Sequence, residues 1–459
     1  MKRRKIFRIA AAWLLLSVGA LRVQAAQQPE QPSQQPTGEA AQIAAQVTDD
    51  SGARCWALED GSRSTKITLT GQSLTIQGQS PFWGIYLIWD QPPGSWQAEG
   101  EGVLLSGGEE GFLHEYLPLP QSCSTLTLTA PAGAVCCDVY LLGEGATPDW
   151  VQVWQPPLED ADLLLLPTHA DDEHLYFGGT MPYYAGELGK KVQVVYFTNH
   201  WAEPYRPHEL LDGLWTVGIR AYPVISEFVD RYADTIEQAR ALYDEEEAVA
   251  FQVEQLRRFR PEVVVGHDLN GEYGHGVHKY NAYILQRALE ASADASQYPE
   301  SAARYGTWDV PKTYLHLYPE NPILMDWSQP LAHFGGKTAL EMAQLGFAEH
   351  QSQQTYFKVE DFGPYDCRRF GLYRTRVGAD VIGGDFFENL EQEDYSDYQP
   401  PAPTPQPAVE TPMPESSSIS PSAAQGEQGE SLPVLWLAPL GVCGVLLAGL
   451  GVWFRRRRR

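Results

Sequence analysis

The chain has 459 residues, with 33 Lys and Arg against 59 Asp and Glu, a formal net charge of −26. That length suffices for two globular domains with full cores. An acidic excess of this size repels nucleic acid and anionic lipid head groups, excluding them as favoured partners and leaving neutral ligands such as sugars open.

Residues 1–25 carry Lys2, Arg3, Arg4, Lys5 and Arg8, then the apolar run Ile9 to Leu16, then small residues up to Ala25. This is the pattern of a cleaved secretory signal. Residues 26–50 are rich in Gln, Pro and Ala without aromatics, which predicts a disordered spacer. Over 51–157 the apolar residues alternate: Ile67 and Leu69, Leu74 and Ile76, then Trp83, Ile85, Leu87 and Trp89, later Leu126 and Leu128. A period of two broken by Gly, Pro and Ser predicts an all-β sandwich, with the Trp83 to Trp89 strand in its core. In overall pattern it loosely resembles the galactose-binding-like jelly rolls.

From 158 to 390 continuous apolar strands alternate with helical stretches, at 162–167, 191–198, 223–228, 262–266 and 313–318. Strands buried on both faces predict a mainly parallel sheet in a Rossmann-like layered α/β domain, with its chemistry at the carboxyl ends of the strands. The run Asp244 to Glu247 reads as a solvated helix face. Residues 391–431 form a linker dense in Pro, Ser, Glu and Gln. Within 432–454, Val434 to Phe454 lacks any charge and is long enough to cross a hydrocarbon core of about 30 Å. Arg455 to Arg459 then predict a stop-transfer signal and a short cytoplasmic tail, with the bulk outside the cell. Between the two ends lie 22 basic and 59 acidic residues, so the exported part carries −37. Cys55, Cys123, Cys136, Cys137 and Cys367 fall in that part and Cys443 in the span. Disulfides are permitted there but not required, and no CxxC pair offers a thiolate zinc site. The oligomeric state stays open.

Two clusters carry chemistry. The first strand runs into His169-Ala170-Asp171-Asp172-Glu173-His174, and a later one, Val263 to Val265, into His267-Asp268-Leu269-Asn270-Gly271-Glu272-Tyr273-Gly274-His275-Gly276-Val277-His278. Packing these carboxylates together without a cation is costly, and parallel topology brings both strand ends to one edge of the sheet. Imidazoles with one or two carboxylates suit Zn²⁺ with a position left open for water.

At these residues the chain resembles the PIG-L (LmbE-like) family of zinc-dependent N-acetylglucosamine deacetylases, over roughly residues 160–360. His169-Ala170-Asp171-Asp172-Glu173 matches its leading signature, and Tyr273-Gly274-His275-Gly276-Val277-His278 its second. Arg206-Pro207-His208-Glu209 with Gly218-Ile219, and His350-Gln351-Ser352-Gln353, resemble its central and closing segments. The family usually has proline where this chain has Ala170 and Gly276. The resemblance implies that His169, Asp172 and His278 bind zinc and that Asp171 is the general base. It implies further that His275 and Tyr273 stabilise the oxyanion, with His275 able to protonate the leaving amine, that Glu173 orients a ligand from outside, and that Arg206 contacts sugar hydroxyls. The expected activity is removal of acetyl from GlcNAc-type sugars of a glycan or glycoconjugate. The alternatives are an amidase on another N-acyl amino sugar or thiol conjugate, and a glycan-binding surface protein without catalysis. His267, His316 and His350 read equally as structural or as supporting residues, while His114, His200, His208 and His333 read as structural.

Overall fold

The computed structural model of the protein describes residues 38–390. The expected signal, linker, membrane span and basic tail lie outside the described residues. Among the described residues no helix is long and apolar enough to cross a membrane.

The N-terminal part is antiparallel. Its strands are β1 (Gln42–Ile43), β2 (Ala45–Asp49), β3 (Ile67–Thr68), β4 (Leu74–Trp89), β5 (Trp96–Gly100), β6 (Val103–Gly107), β7 (His114–Thr129) and β8 (Val135–Leu142). They join one sheet in the order β1-β8-β4-β7-β5-β6, with β2 on β4 and β3 on β8. The 16-residue β4 pairs with the equally long β7 through two register shifts, on either side of Phe82. Beyond them both faces of β4 are covered. Ile85, Leu87 and Trp89 point into the main β core, and Tyr86 and Ile88 into a second cluster with Cys137, Leu142 and Val151. The Trp83 to Trp89 strand thus serves packing at Trp89, which is fully buried.

The spacer expected over 26–50 is corrected for its second half. Residues 42–43 and 45–49 are strands, because Gln42 and Ile43 pair with Leu142 and Leu141 of β8, Val47 is buried in the β core and Ala45 to Asp49 pair with Leu74 to Gly78 of β4. A short polar stretch gains order from its partner strand, which its own composition does not show.

The second part contains β9 (Leu163–Leu165), α1 (Asp172–Leu175), β10 (Val192–Tyr196), α2 (Arg206–Thr216), β11 (Val224–Ile225), α3 (Ile236–Leu242), α4 (Glu245–Phe259), β12 (Val263–Gly266), α5 (Gly276–Ser292), α6 (Pro299–Tyr305), β13 (Lys312–His316), β14 (Pro322–Leu324), α7 (Ala339–Glu349) and β15 (Arg369–Thr375). The sheet order is β11-β10-β9-β12-β13-β15-β14. The five strands read from apolar runs are parallel, while β15 and β14 add an antiparallel edge. Leu163, Leu165, Val263 and Val265 face the core shared with α2 and α7, and Leu164 and Val264 the core shared with α4 and α5. Burial on both sides is why these strands are apolar without alternation. Asp244 caps α4 by accepting from Glu247 N, and Glu245 to Glu247 fill the first turn, where the helix dipole favours negative charge.

The two parts share packing. Phe112, Leu113 and Trp154 belong to the core of the α/β part, and Phe112 stacks on Tyr222 with ring centroids 4.5 Å apart.

Candidate metal centre and active site

Strands β9 and β12 are parallel neighbours at the point where the strand order reverses, so the loops after them open at the same edge. The first loop carries His169 to Glu173 and the second His267 to His278.

Three ligand atoms converge there. His169 Nδ1 lies 3.2 Å from Asp172 Oδ2 and 3.0 Å from His278 Nε2, which is 3.3 Å from Asp172 Oδ2. The opposite ring nitrogens meet carboxylates, His278 Nδ1 with Glu272 Oε2 at 2.8 Å and His169 Nε2 with Asp230 Oδ1 at 3.3 Å. If each ring donates to its carboxylate, two imidazole lone pairs and an anionic oxygen face one point. Bonds of about 2.0–2.1 Å in a tetrahedron place ligand atoms about 3.3–3.4 Å apart, so these residues fit zinc. His267 is set apart, because its Nε2 already accepts the Thr168 N–H at 3.0 Å. His275 offers a further nitrogen within 4.8 Å of those of His169 and His278. Against the cost of burial, His278 and His169 hold the Asp172 carboxyl well below the usual carboxylate range, and Asp172 and Asp230 lift His169 to about 9.

Glu272 anchors the second loop. Fully buried, its Oε2 is 2.8 Å from both His267 Nδ1 and His278 Nδ1, while its Oε1 is 2.8 Å from His316 Nδ1 and accepts from Asp268 N at 3.2 Å. A carboxylate on the far nitrogen fixes the tautomer and aim of a metal-binding histidine. His267 and His316 are thus supporting residues around this carboxylate.

On the other side stands Asp171. Its φ of 123° is strained for an L residue. The backbone is held there by Glu173 Oε2, which accepts Asp171 N–H at 2.8 Å, while Glu173 Oε1 is 3.1 Å from His350 Nε2. Arg206, at the start of α2 and buried, donates to the Ala170 carbonyl and lies 3.6 Å from Asp171 Oδ2. Burial pushes the Asp171 carboxyl up to about 7, with Arg206 pulling the other way and Asp172 adding to the rise. A carboxyl poised at that value exchanges a proton near neutral pH.

Tyr273 and His275 border the same space. Tyr273, at φ 45°, is the exposed member, its ring 5.5 Å from His275 and 5.6 Å from His278. His275 Nδ1 is buried without a hydrogen-bond partner. Burial and the neighbouring His169 and His278 lower His275 to about 3, so it is a neutral imidazole at pH 7. The two positions without the usual proline both use the N–H that proline lacks. Ala170 N donates to His200 Nε2 at 3.3 Å, and Gly276 N to the Ala233 carbonyl at 2.8 Å. These bonds pin the two loops.

The geometry thus gathers His169, Asp171, Asp172, Glu173, Arg206, Tyr273, His275 and His278 at one edge of the sheet. Sequence reasoning missed Asp230, which carried no motif, and gave Glu272 no role of its own, although Glu272 sits inside the second cluster, directly before the Tyr273 that opens the matched signature.

No family model matches the chain. Among curated relatives, the 1D-myo-inositol 2-acetamido-2-deoxy-alpha-D-glucopyranoside deacetylase of Geodermatophilus obscurus is 30% identical over 265 residues, covering 50% of this chain and 88% of the relative. The chain belongs to the PIG-L (LmbE-like) family. A PIG-L relative of the same description from Mycobacterium leprae is 32% identical over 189 residues, 35% of this chain, which spans 61% of that relative's length. Among solved structures, the N,N'-diacetylchitobiose deacetylase of Pyrococcus horikoshii shares 18% identity over 43% of this chain and 72% of its own, with a TM-score of 0.33. That last likeness is too slight to bear on activity.

Proposed function

We propose that the protein is a zinc-dependent N-deacetylase acting on GlcNAc-type sugars in a glycan or glycoconjugate, exported and held at the membrane by its C-terminal segment. The observation that carries the catalytic reading is the convergence of His169 Nδ1, Asp172 Oδ2 and His278 Nε2 within 3.3 Å of one another, beside an Asp171 raised to about 7. Membership in the PIG-L family and the names of the two curated relatives support the reaction and the sugar class. The acidic exported region and the uncharged stretch before Arg455 support the location.

Zinc bound by His169, Asp172 and His278 would polarise the acetamide carbonyl and lower the pKa of water to about 7. Asp171 takes the proton of the attacking water and returns it to the departing amine. His275, neutral at pH 7, donates a hydrogen bond to the developing oxyanion, and the Tyr273 hydroxyl is placed to do the same. Burial and the Asp172 carboxylate raise the Tyr273 phenol, which keeps it a donor. Arg206 and Glu173 hold Asp171 in its strained backbone position.

The test is release of acetate and free amine from N-acetylglucosamine and its short oligomers by the purified protein, with chelator and with zinc restored. Release stopped by chelator and restored by zinc is expected. No release from the zinc-loaded protein would refute the substrate class. Protease protection of the tail in intact cells tests the topology.

A further inference from the structure

A second cluster of metal-capable groups lies where the β domain meets α2, and none of its members belongs to the centre above. Asp90 after β4, Cys137 on β8 and His208 on α2 each bring a ligand atom within 4.8 Å of the other two. All three residues are buried, with exposures of 6%, 0% and 2%.

Hydrogen bonds around His208 fix where the protons are. Gln152 Nε2 donates to Asp212 Oδ1 at 2.5 Å and Trp154 Nε1 donates to Gln152 Oε1 at 2.9 Å, so that oxygen faces His114 as an acceptor. His114 Nδ1, 2.7 Å away, therefore carries the proton, and its Nε2 accepts from His208 Nδ1 at 2.8 Å. A neutral His208 is left with its lone pair on Nε2. That atom is buried and has no hydrogen-bond partner.

The surroundings fit an ion. Lys66 Nζ donates to Asp90 Oδ1 at 2.8 Å, which leaves the second carboxylate oxygen free to ligate. Arg63, the other nearby cation, is engaged by Asp212. An imidazole lone pair, a carboxylate oxygen and a cysteine sulfur form a borderline-soft donor set suited to zinc.

We propose that Asp90, Cys137 and His208 form a second zinc site, with its fourth position left to water, that bolts the β domain to α2. On binding, the Cys137 S–H bond breaks, its proton leaves to solvent and the thiolate sulfur bonds the ion. The first residue of α2 is Arg206, which holds the Ala170 carbonyl beside Asp171, so the bolt fixes one wall of the catalytic loop. Sequence spacing could not show such a site, because its ligands come from three separate elements.

The test uses the full chain loaded with cobalt. The catalytic centre contains no sulfur, so a thiolate-to-cobalt charge-transfer band in the near ultraviolet reports Cys137 independently of any enzymatic activity. Two equivalents of metal and that band are expected, with the band lost and one equivalent kept in Cys137→Ser. A band that survives in Cys137→Ser, or a wild-type protein without one, overturns the proposal. If Cys137→Ser fails to fold, X-ray absorption of the wild-type zinc protein decides. Sulfur at about 2.3 Å is expected, and a shell of nitrogen and oxygen alone overturns the site.

Discussion

Glutamine in place of Glu272 would keep the shape of the side chain and remove its charge. In the native protein Oε2 serves His267 and His278 while Oε1 serves His316 and the Asp268 amide. An amide has one acceptor oxygen, so whichever way it turns, one of these two pairs faces an NH₂ group. If that pair includes His278, the ring can no longer donate through Nδ1, and its proton moves to Nε2, the atom that has to bind metal. In either orientation the negative charge that makes both imidazoles better ligands is gone. Loss of such an outer partner typically weakens metal affinity 10–100-fold, or about 1.4–2.8 kcal/mol. The assay is a zinc competition titration against a chelating dye at pH 7, with circular dichroism to check the fold. A folded Glu272→Gln protein with zinc affinity within twofold of the parent would refute the role given to this carboxylate.

Asp171→Asn should retain zinc and lose turnover by about 10²–10⁴-fold, and parent-level acetate release would sink the base assignment. Phe112→Ala should cost about 3–5 kcal/mol in urea unfolding, because its ring stacks on Tyr222 inside the α/β core; a loss below about 1 kcal/mol would mean that the two parts do not share that core in energetic terms. Gly276→Pro, although it restores the commoner family residue, should lower stability by about 1–3 kcal/mol. It removes the bond to the Ala233 carbonyl, and a Cβ there meets Thr235 O at 2.3 Å; an unchanged or raised Tm would contradict this. Zinc at 100 times its Kd should stabilise the protein by about 2.7 kcal/mol for each site it fills, relative to the chelated form, read by calorimetry as a Tm difference, and identical melting with and without chelator would count against a metal held by folded ligands.

The local features were legible from residues alone. Five buried strands show as apolar runs because both of their faces are covered, and each motif lies within a dozen residues of the strand that delivers it. The clusters His169 to His174 and His267 to His278 therefore stand out in the sequence as metal-capable, while the role of each residue within them came from the family resemblance. The meeting of those two loops was inferred only through the rule for parallel sheets.

Tertiary structure decided what depends on partners distant in the chain. The pairing of β2 with β4 turned a polar stretch into a strand, and β14 with β15 extended the sheet in the antiparallel sense. Asp230 reaches His169 across 61 positions, and Glu272 collects His316 from 44 residues away. Arg206, expected against sugar hydroxyls, is buried beside Asp171, and His114 and His208 became neighbours only because the β domain docks on α2. A side chain's type sets what it can bond, and its sequence neighbours set its strand or helix. Which proton, carboxylate or cation it meets is fixed by packing between elements, and single-sequence patterns carry no record of that distance.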